Sequence, residues 1–407
     1  MRMKQKFELG SLSGFRDSRQ NAKWAIQIFQ WFELGWLLTL SFAILLPSLG
    51  ARSMESFVRV IDKDFSIVPD GTTSIENRYG FVDIRAWNKD QVRVEVEIVV
   101  EAKSEAAAEK VFDRIDIHFH NTSSIVRAIT QIESNTGWWS GWGTVWWGGS
   151  GASLLNNFEI NYTVWVPPTN CIKVSNRYGD VQIAALEGDL SLSVKYGHFT
   201  VEGTTGRMDF ELSYGNGRIM RAAHVVGRAT YAKLRAKSLT VLRLESRYSK
   251  IHAEEAVHIM VSARYDDYEI GRAEVLDFSG NYSDVRVGQV RELMMVGRYT
   301  DLRVDTLEVR AVMDLQYGDV RVDKVAKAFA TLELLGRYVD YQVQIAEGAN
   351  YKVELQGNYV QMRLPPQFNC RKDIERYASR SVEGYVGTPE ARSTIRADLN
   401  HGSVRIQ

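Results

Sequence analysis

Asn281-Tyr-Ser-Asp-Val-Arg-Val287, Arg298-Tyr-Thr-Asp-Leu-Arg-Val304 and Gln316-Tyr-Gly-Asp-Val-Arg-Val322 are three copies of one phrase, and their spacing decides the fold. Earlier versions stand at Asn176-Arg-Tyr-Gly-Asp-Val-Gln-Ile183, Lys195-Tyr-Gly-His-Phe-Thr-Val201 and Arg247-Tyr-Ser-Lys-Ile-His-Ala253. The tyrosines fall at 178, 196, 214, 231, 248, 265, 282, 299, 317, 338 and 359, in steps of 17, 18 and finally 21. Such regularity marks a stacked-repeat architecture, and the period is too short for paired helices.

Strand neighbours face opposite sides, so alignment on the tyrosine assigns each position a direction. Three residues after it stand Val181, Phe199, Leu234, Ile251, Tyr268, Val285, Leu302, Val320, Tyr341 and Met362. Five after stand Ile183, Val201, Ile219, Ile270, Val287, Val304, Val322, Val343 and Leu364. Between them, at four, the residues are polar, Arg286, Arg303 and Arg321 among them, and point outward. Four before, a second strand supplies Val174, Leu192, Phe210, Leu244, Val261, Phe278, Met295, Met313, Leu334 and Leu355. Two short strands meeting at a corner by each tyrosine describe one coil of an all-β, single-stranded parallel β-solenoid (β-helix) with 17–21-residue coils. The small residues just after the tyrosine, such as Gly179, Gly197, Ser249 and Thr300, suit a tight bend there. About a dozen coils at ~4.8 Å give a rod roughly 55–60 Å long. Cys171 opens the regular coils and Cys370 follows them, so an intramolecular disulfide is not expected.

The flanks differ. Asn77-Arg-Tyr-Gly-Phe-Val-Asp-Ile84 copies the phrase 99 residues before Tyr178. The interval holds the alternating strand Val92-Arg-Val-Glu-Val-Glu-Ile-Val-Val100 and a helix-like Ser104-Glu-Ala-Ala-Ala-Glu-Lys-Val-Phe-Asp-Arg-Ile115, with Ser104 as N-cap. Further strands are predicted at 115–119, 124–133 and 158–166. Residues 52–170 read as an N-terminal β-rich cap containing one helix, which covers the open end of the sheet. Residues 171–364 are the regular coils. Residues 365–407 form an excursion and a terminal coil, His401-Gly-Ser-Val-Arg-Ile406 lying two steps of 21 after Tyr359.

The chain has 407 residues with Lys+Arg 50 and Asp+Glu 50, a balance that excludes disorder and a basic nucleic-acid binder. Residues 1–50 hold six basic and three acidic residues, so the body is mildly acidic. A basic lead, the apolar run Trp36-Leu-Leu-Thr-Leu-Ser-Phe-Ala-Ile-Leu-Leu-Pro47 and the small exit Ser48-Leu49-Gly50-Ala51 make residues 1–51 a signal peptide. The alternative is an uncleaved anchor in the inner membrane through residues 25–50, the one membrane contact expected. Either places the body in the periplasm, on the outer membrane surface or outside the cell.

The Asn-Arg-Tyr-Gly phrases, the intervening helix, Tyr162-Thr-Val-Trp-Val-Pro-Pro168 and the tyrosine coils together resemble the bacterial "putative adhesin" family over roughly residues 62–407. The resemblance implies a β-solenoid on an exported envelope protein and carries no catalytic residue across.

An aspartate column recurs two positions after the tyrosine, at Asp267, Asp284, Asp301, Asp319 and Asp340. Charges ~4.8 Å apart in water repel by roughly 0.9 kcal/mol. Arg286, Arg303 and Arg321 stand beside it, so the rows read either as a self-neutralising charge ladder or as a cation or charged-glycan surface. Trp138, Trp139, Trp142, Trp146 and Trp147 crowd a glycine-rich segment and are the candidate ligand contacts, by stacking on sugars, at a membrane interface or on a partner; burial over the cap is the competing reading. His118 and His120 share a strand face without a visible third ligand, so no metal is expected. No catalytic motif or cofactor loop occurs. The leading expectation is a non-enzymatic exported binding or scaffolding module whose partner is a glycan or envelope protein. Alternatives are a polysaccharide-cleaving enzyme on the same fold, and an envelope-stress component that binds a protein.

Overall fold

The computed structural model describes residues 54–133 and 158–407. They are nearly all β, with one helix and one long, mostly parallel sheet of many strands. The N-terminal part contains β1 (Glu55–Ser66), β2 (Thr72–Arg78), β3 (Val82–Ala86), β4 (Gln91–Ala102), α1 (Glu105–Phe112), β5 (Ile115–Asn121), β6 (Ile125–Ile132) and β7 (Phe158–Val166). The repeats follow as β8 (Cys171–Arg177), β9 (Val181–Ile183), β10 (Leu190–Lys195), β11 (Phe199–Val201), β12 (Thr204–Ser213), β13 (Asn216–Thr230), β14 (Lys233–Arg247) and β15 (Lys250–Arg264). Then come β16 (Asp267–Val325), β17 (Thr331–Ile345), β18 (Tyr351–Arg363), β19 (Phe368–Arg376), β20 (Ser379–Val386) and β21 (Ser393–Ile406).

Through most of the repeats strand residues pair in parallel with the residue one period on: Leu190 with Met208, Lys233 with Lys250, Lys250 with Asp267. The register keeps equivalent positions above one another, so like side chains stack in inward rows. The rows assigned from the sequence are buried, from Val181, Phe199 and Leu234 through Tyr341, and from Val174 through Leu355. Only at the last rung do Met362 and Leu364 stay partly covered. One apolar cluster runs from Ile67 to Ile406, and each fully buried Leu, Ile, Val, Phe or Met adds about 1.5–3 kcal/mol relative to exposure.

The Asn of the early phrases also has a physical role. Asn77 and Asn176 occupy the inward position two before the tyrosine, and their side-chain amides donate to Ile160 O at 2.8 Å and Gly80 O at 2.9 Å. Each ties its rung to a neighbouring rung's backbone. The 99-residue interval is thereby closed in space: β2 pairs with β8 and β3 with β9, both parallel, so the Tyr79 rung lies directly on the Tyr178 rung. On the far side of that rung lie β6 on β2 and β7 on β3. Antiparallel β5 on β6, β4 on β7 and β1 on β4 complete the arrangement. Helix α1 buries Ala108 and Phe112. Ser104 precedes it, but its side chain makes no cap; its carbonyl accepts from Ala107 and Ala108 N–H.

The C-terminal end departs from the simple order. The sequence placed His401–Ile406 beyond the Tyr359 rung; instead β21 is inserted between β17 and β18, in parallel register with both. The preceding hairpin explains how. β20 runs antiparallel along the outer edge of β18, with β19 outside it, so the chain turns back and the last strand fills the gap. Cys171 in β8 and Cys370 in β19 are both free thiols.

Candidate binding surface

Each rung turns its corner on the tyrosine. Thirteen tyrosines, from Tyr79 to Tyr377, and His401 have φ between 49° and 64°, in the left-handed region. The tight bend expected at the small residue after the tyrosine thus falls on the tyrosine itself. The small residue answers a different need, close approach of backbones. A Cβ on Gly197 would stand 2.0 Å from Gly179 O, and one on Gly179 would stand 1.8 Å from Gly80 O. Hydrogen bonds on both flanks hold the strained corner: Tyr231 N–H donates to Arg247 O at 3.0 Å, while Lys250 N–H donates back to Ala232 O at 2.9 Å.

This shared conformation stacks the rings. From Tyr79 through Tyr178 to Tyr338, then His401 and Tyr359, successive ring centroids lie 4.7–5.2 Å apart and interplanar angles are 23° or less. His401 fills the slot between Tyr338 and Tyr359 because β21 fills the slot between their strands. Each aromatic pair contributes about 0.5–1.5 kcal/mol beyond area burial. The ladder is nevertheless a surface feature: Tyr178 to Tyr338 are each 39–49% exposed, and Tyr359 66%. Ring faces are taken up by neighbouring rings, so the outward offering is ring edges and phenol hydroxyls. Among the described residues none of these hydroxyls has a protein hydrogen-bond partner, whereas those of the core tyrosines Tyr162, Tyr268 and Tyr341 do.

Two charged rows flank the ladder. The position just before the tyrosine carries Arg78, Arg177, Lys195, Arg247, Arg264, Arg298 and Arg337, interrupted by the uncharged Ser213, Thr230, Asn281 and Gln316, and no acid. Among the described residues none of these makes an ion pair; Arg298 donates to Gln316 Oε1 at 3.0 Å. Arg78, Arg177, Lys195 and Arg264 lie 5.3–5.8 Å from the ring centroid of the tyrosine that follows. Some cations elsewhere are paired, as in Arg207–Asp209 at 2.8 Å and Arg310–Glu292 at 2.9 Å. On the opposite side, two after the tyrosine, stands the aspartate column. Asp267 pairs with Lys250 at 2.7 Å, but Asp284, Asp301, Asp319 and Asp340 have no cation partner among the described residues. Arg303 and Arg321 turn instead to Asp323, at 2.8 and 2.5 Å, and Arg286 makes no ion pair there. Arg303 and Arg321 are therefore neutralised through Asp323, which the sequence reading did not single out, and not through the aspartate column. Burial, then Asp301 and Asp340, push the Asp319 carboxyl above the ordinary range, while hydrogen bonds from Arg321 and then Arg303 hold Asp323 below it.

The other perturbed groups are structural. Asp266, which replaces the small residue after Tyr265, is buried and accepts from Ser246 Oγ at 2.8 Å, Ser249 N at 2.7 Å and Arg264 N at 2.6 Å. Burial pushes its carboxyl upward against those donors. Burial likewise raises the phenols of Tyr162, Tyr268 and Tyr341, and moves Tyr351 to about 12. His118 Nε2 lies 3.1 Å from Asp116, and among the described residues no cluster of three or more His, Cys, Asp or Glu is placed to hold a metal. Trp138, Trp139, Trp142, Trp146 and Trp147 lie outside the described residues, as does the apolar stretch 25–50. No helix among the described residues is long and apolar enough to cross a membrane.

No protein-family model matches the chain, and no curated protein matches it. Among solved structures it is similar to a "putative cell adhesion protein" from Clostridium sporogenes, at 9% identity, covering 86% of this chain and 99% of that one, with a TM-score of 0.16. It is also similar to a "putative adhesin" from Bacteroides fragilis, at 10% identity, with coverage of 86% and 97% and a TM-score of 0.20. A third, a "putative lipid binding protein" from Parabacteroides distasonis, is 10% identical, with coverage of 85% and 97% and a TM-score of 0.22.

Proposed function

We propose that the chain is an exported, non-enzymatic, adhesin-like module whose residues 171–364 form a single-stranded parallel β-solenoid, capped by 52–170 and closed by 365–407. In this reading the repeat array holds a contact surface rigid, and the tyrosine ladder is that surface. The observation that carries it is the exposed run of stacked rings from Tyr178 to Tyr359, which no packing requirement of the core demands. The perturbed acid Asp266 and the perturbed phenol of Tyr268 share Ser246 as hydrogen-bond partner in a buried structural network, which supports binding over catalysis. The basic and apolar leader in residues 1–51 supports export.

The test is fractionation of cells producing the full chain with a tag after Gln407, followed by capture of isolated envelope material on the purified protein. The tag is expected outside the cytoplasm. Capture is expected to weaken when Tyr231, Tyr248 and Tyr265 are changed to Asn, a residue that tolerates the left-handed corner. A cytoplasmic tag, or undiminished capture by the folded ladder variant, would contradict the proposal.

A further inference from the structure

We propose that the ladder and the cation row beside it, from Arg177 to Arg264, bind a linear acidic polysaccharide of the polyuronate class laid along the array. The proposal rests on the reading of the chain as a binding module and names the ligand of that surface.

Three observations carry it. The first is periodicity: the surface repeats every 4.8–5.2 Å between ladder tyrosines, and a repeating surface is matched best by a repeating polymer. This spacing is close to the advance of one pyranose ring in an extended polysaccharide chain. The second is hydrogen-bonding capacity. Each rung offers a phenol hydroxyl without a protein partner, able to donate to a carboxylate or exchange bonds with a sugar hydroxyl. The third is charge. Arg177, Lys195, Arg247 and Arg264 make no ion pair among the described residues, the uncharged Ser213 and Thr230 hold the same position at the two rungs between them, and guanidinium groups suit planar carboxylates.

The same geometry sets the limits of the site. From Asp284 onward the opposite flank becomes the column of aspartates without a cation partner among the described residues, which repels a polyanion, whereas Asp267, on the Tyr265 rung, is neutralised by Lys250. Before it, that flank carries Asp180, His198, Asn216, Lys233 and Lys250. The footprint therefore covers the rungs from Tyr178 to Tyr265. Duplex DNA, with a charge about every 1.7 Å of axis, matches neither the spacing nor the single cation row.

The experiment is affinity electrophoresis of the full chain through gels containing sodium alginate, with dextran and duplex DNA as separate arms. Alginate is expected to retard the protein and dextran to leave it unaffected, with retardation weakening as salt rises. The double variant Arg247→Gln/Arg264→Gln alters only surface side chains. Loss of two charge-assisted hydrogen bonds should weaken alginate binding by about tenfold or more. The triple variant Tyr231→Asn/Tyr248→Asn/Tyr265→Asn is expected to lose binding similarly, provided its circular dichroism is that of the parent. Wild-type protein that ignores alginate, a glutamine variant that binds as well as the parent, or equal retardation by DNA would each overturn the proposal. Ladder-dependent capture of envelope material by a protein that ignores alginate would refute the polyuronate assignment and leave the binding-module reading standing.

Discussion

At Tyr248 the backbone sits at φ 51°, which an L-residue adopts at a cost and a β-branched one adopts worst. Tyr248→Val and Tyr248→Asn both remove one ring from the stack, so their difference isolates the corner. Thermal denaturation should show the valine variant less stable than the asparagine variant by about 1–3 kcal/mol. Equal stabilities would refute the strained corner. A second test concerns the neighbouring position. Gly197→Ala forces a Cβ to 2.0 Å from Gly179 O, backbone that cannot yield cheaply, and a loss beyond the usual overpacking cost of about 1–3 kcal/mol is expected on denaturant titration. The rows of apolar residues were legible because strand alternation has a period of two and each position recurs ten times or so. The corner was not. A glycine after a tyrosine is an ordinary turn signal, and only the stacked backbones reveal that its smallness serves the next rung and that the tyrosine bears the positive φ.

Among the elements, β21 is the one whose placement sequence could not supply. Its phrase and its distance from Tyr359 identify it as a rung; whether that rung lies beyond or before the Tyr359 strand depends on the hairpin of β19 and β20 turning the chain back. Once inserted, it buries Ile395, Leu399, Val404 and Ile406 and satisfies the facing edges of β17 and β18. Ending the chain at Arg392 should open both edges and expose the inward rows beside them, a template for self-association. Size-exclusion chromatography is expected to show loss of the parent species, with recovery when a peptide of residues 393–407 is supplied. A truncated chain with unchanged elution and melting would refute the insertion. The network of Asp266, Ser246 and Tyr268 was equally hidden, since an Asp beside Asp267 reads as part of the acidic column until its burial is seen.

For the whole molecule, equal numbers of Lys+Arg and Asp+Glu conceal an uneven surface, with scattered ion pairs, cations without a carboxylate partner along one side of the ladder and, along the other, a carboxylate column in which only Asp267 meets a cation among the described residues. The pH response follows. Asp319 and Asp266 have raised folded-state values, so the stability they contribute is present below the ordinary carboxylate value and is lost as pH rises through the raised ones. Asp323 and Asp373, held low by their arginines, act in the opposite sense, and their contribution is lost as pH falls. Asp319 donates its backbone N–H to Asp301 but, among the described residues, accepts no hydrogen bond through its own carboxylate, so Asp319→Asn removes repulsion with little else. Its melting temperature relative to the parent should rise between about pH 4 and pH 7, the range above the ordinary carboxylate value. A constant difference would argue against the column as a repulsive stack.

The central claim is that one continuous tyrosine face lies open along the array while other tyrosines are sealed in its core. Nitration of the native full chain with tetranitromethane, mapped by peptide mass spectrometry, tests it residue by residue. The ladder tyrosines from Tyr178 to Tyr359 are expected to react together and early, and Tyr162, Tyr268 and Tyr341 only after unfolding. Ladder tyrosines protected as strongly as Tyr162 and Tyr268 would contradict the account.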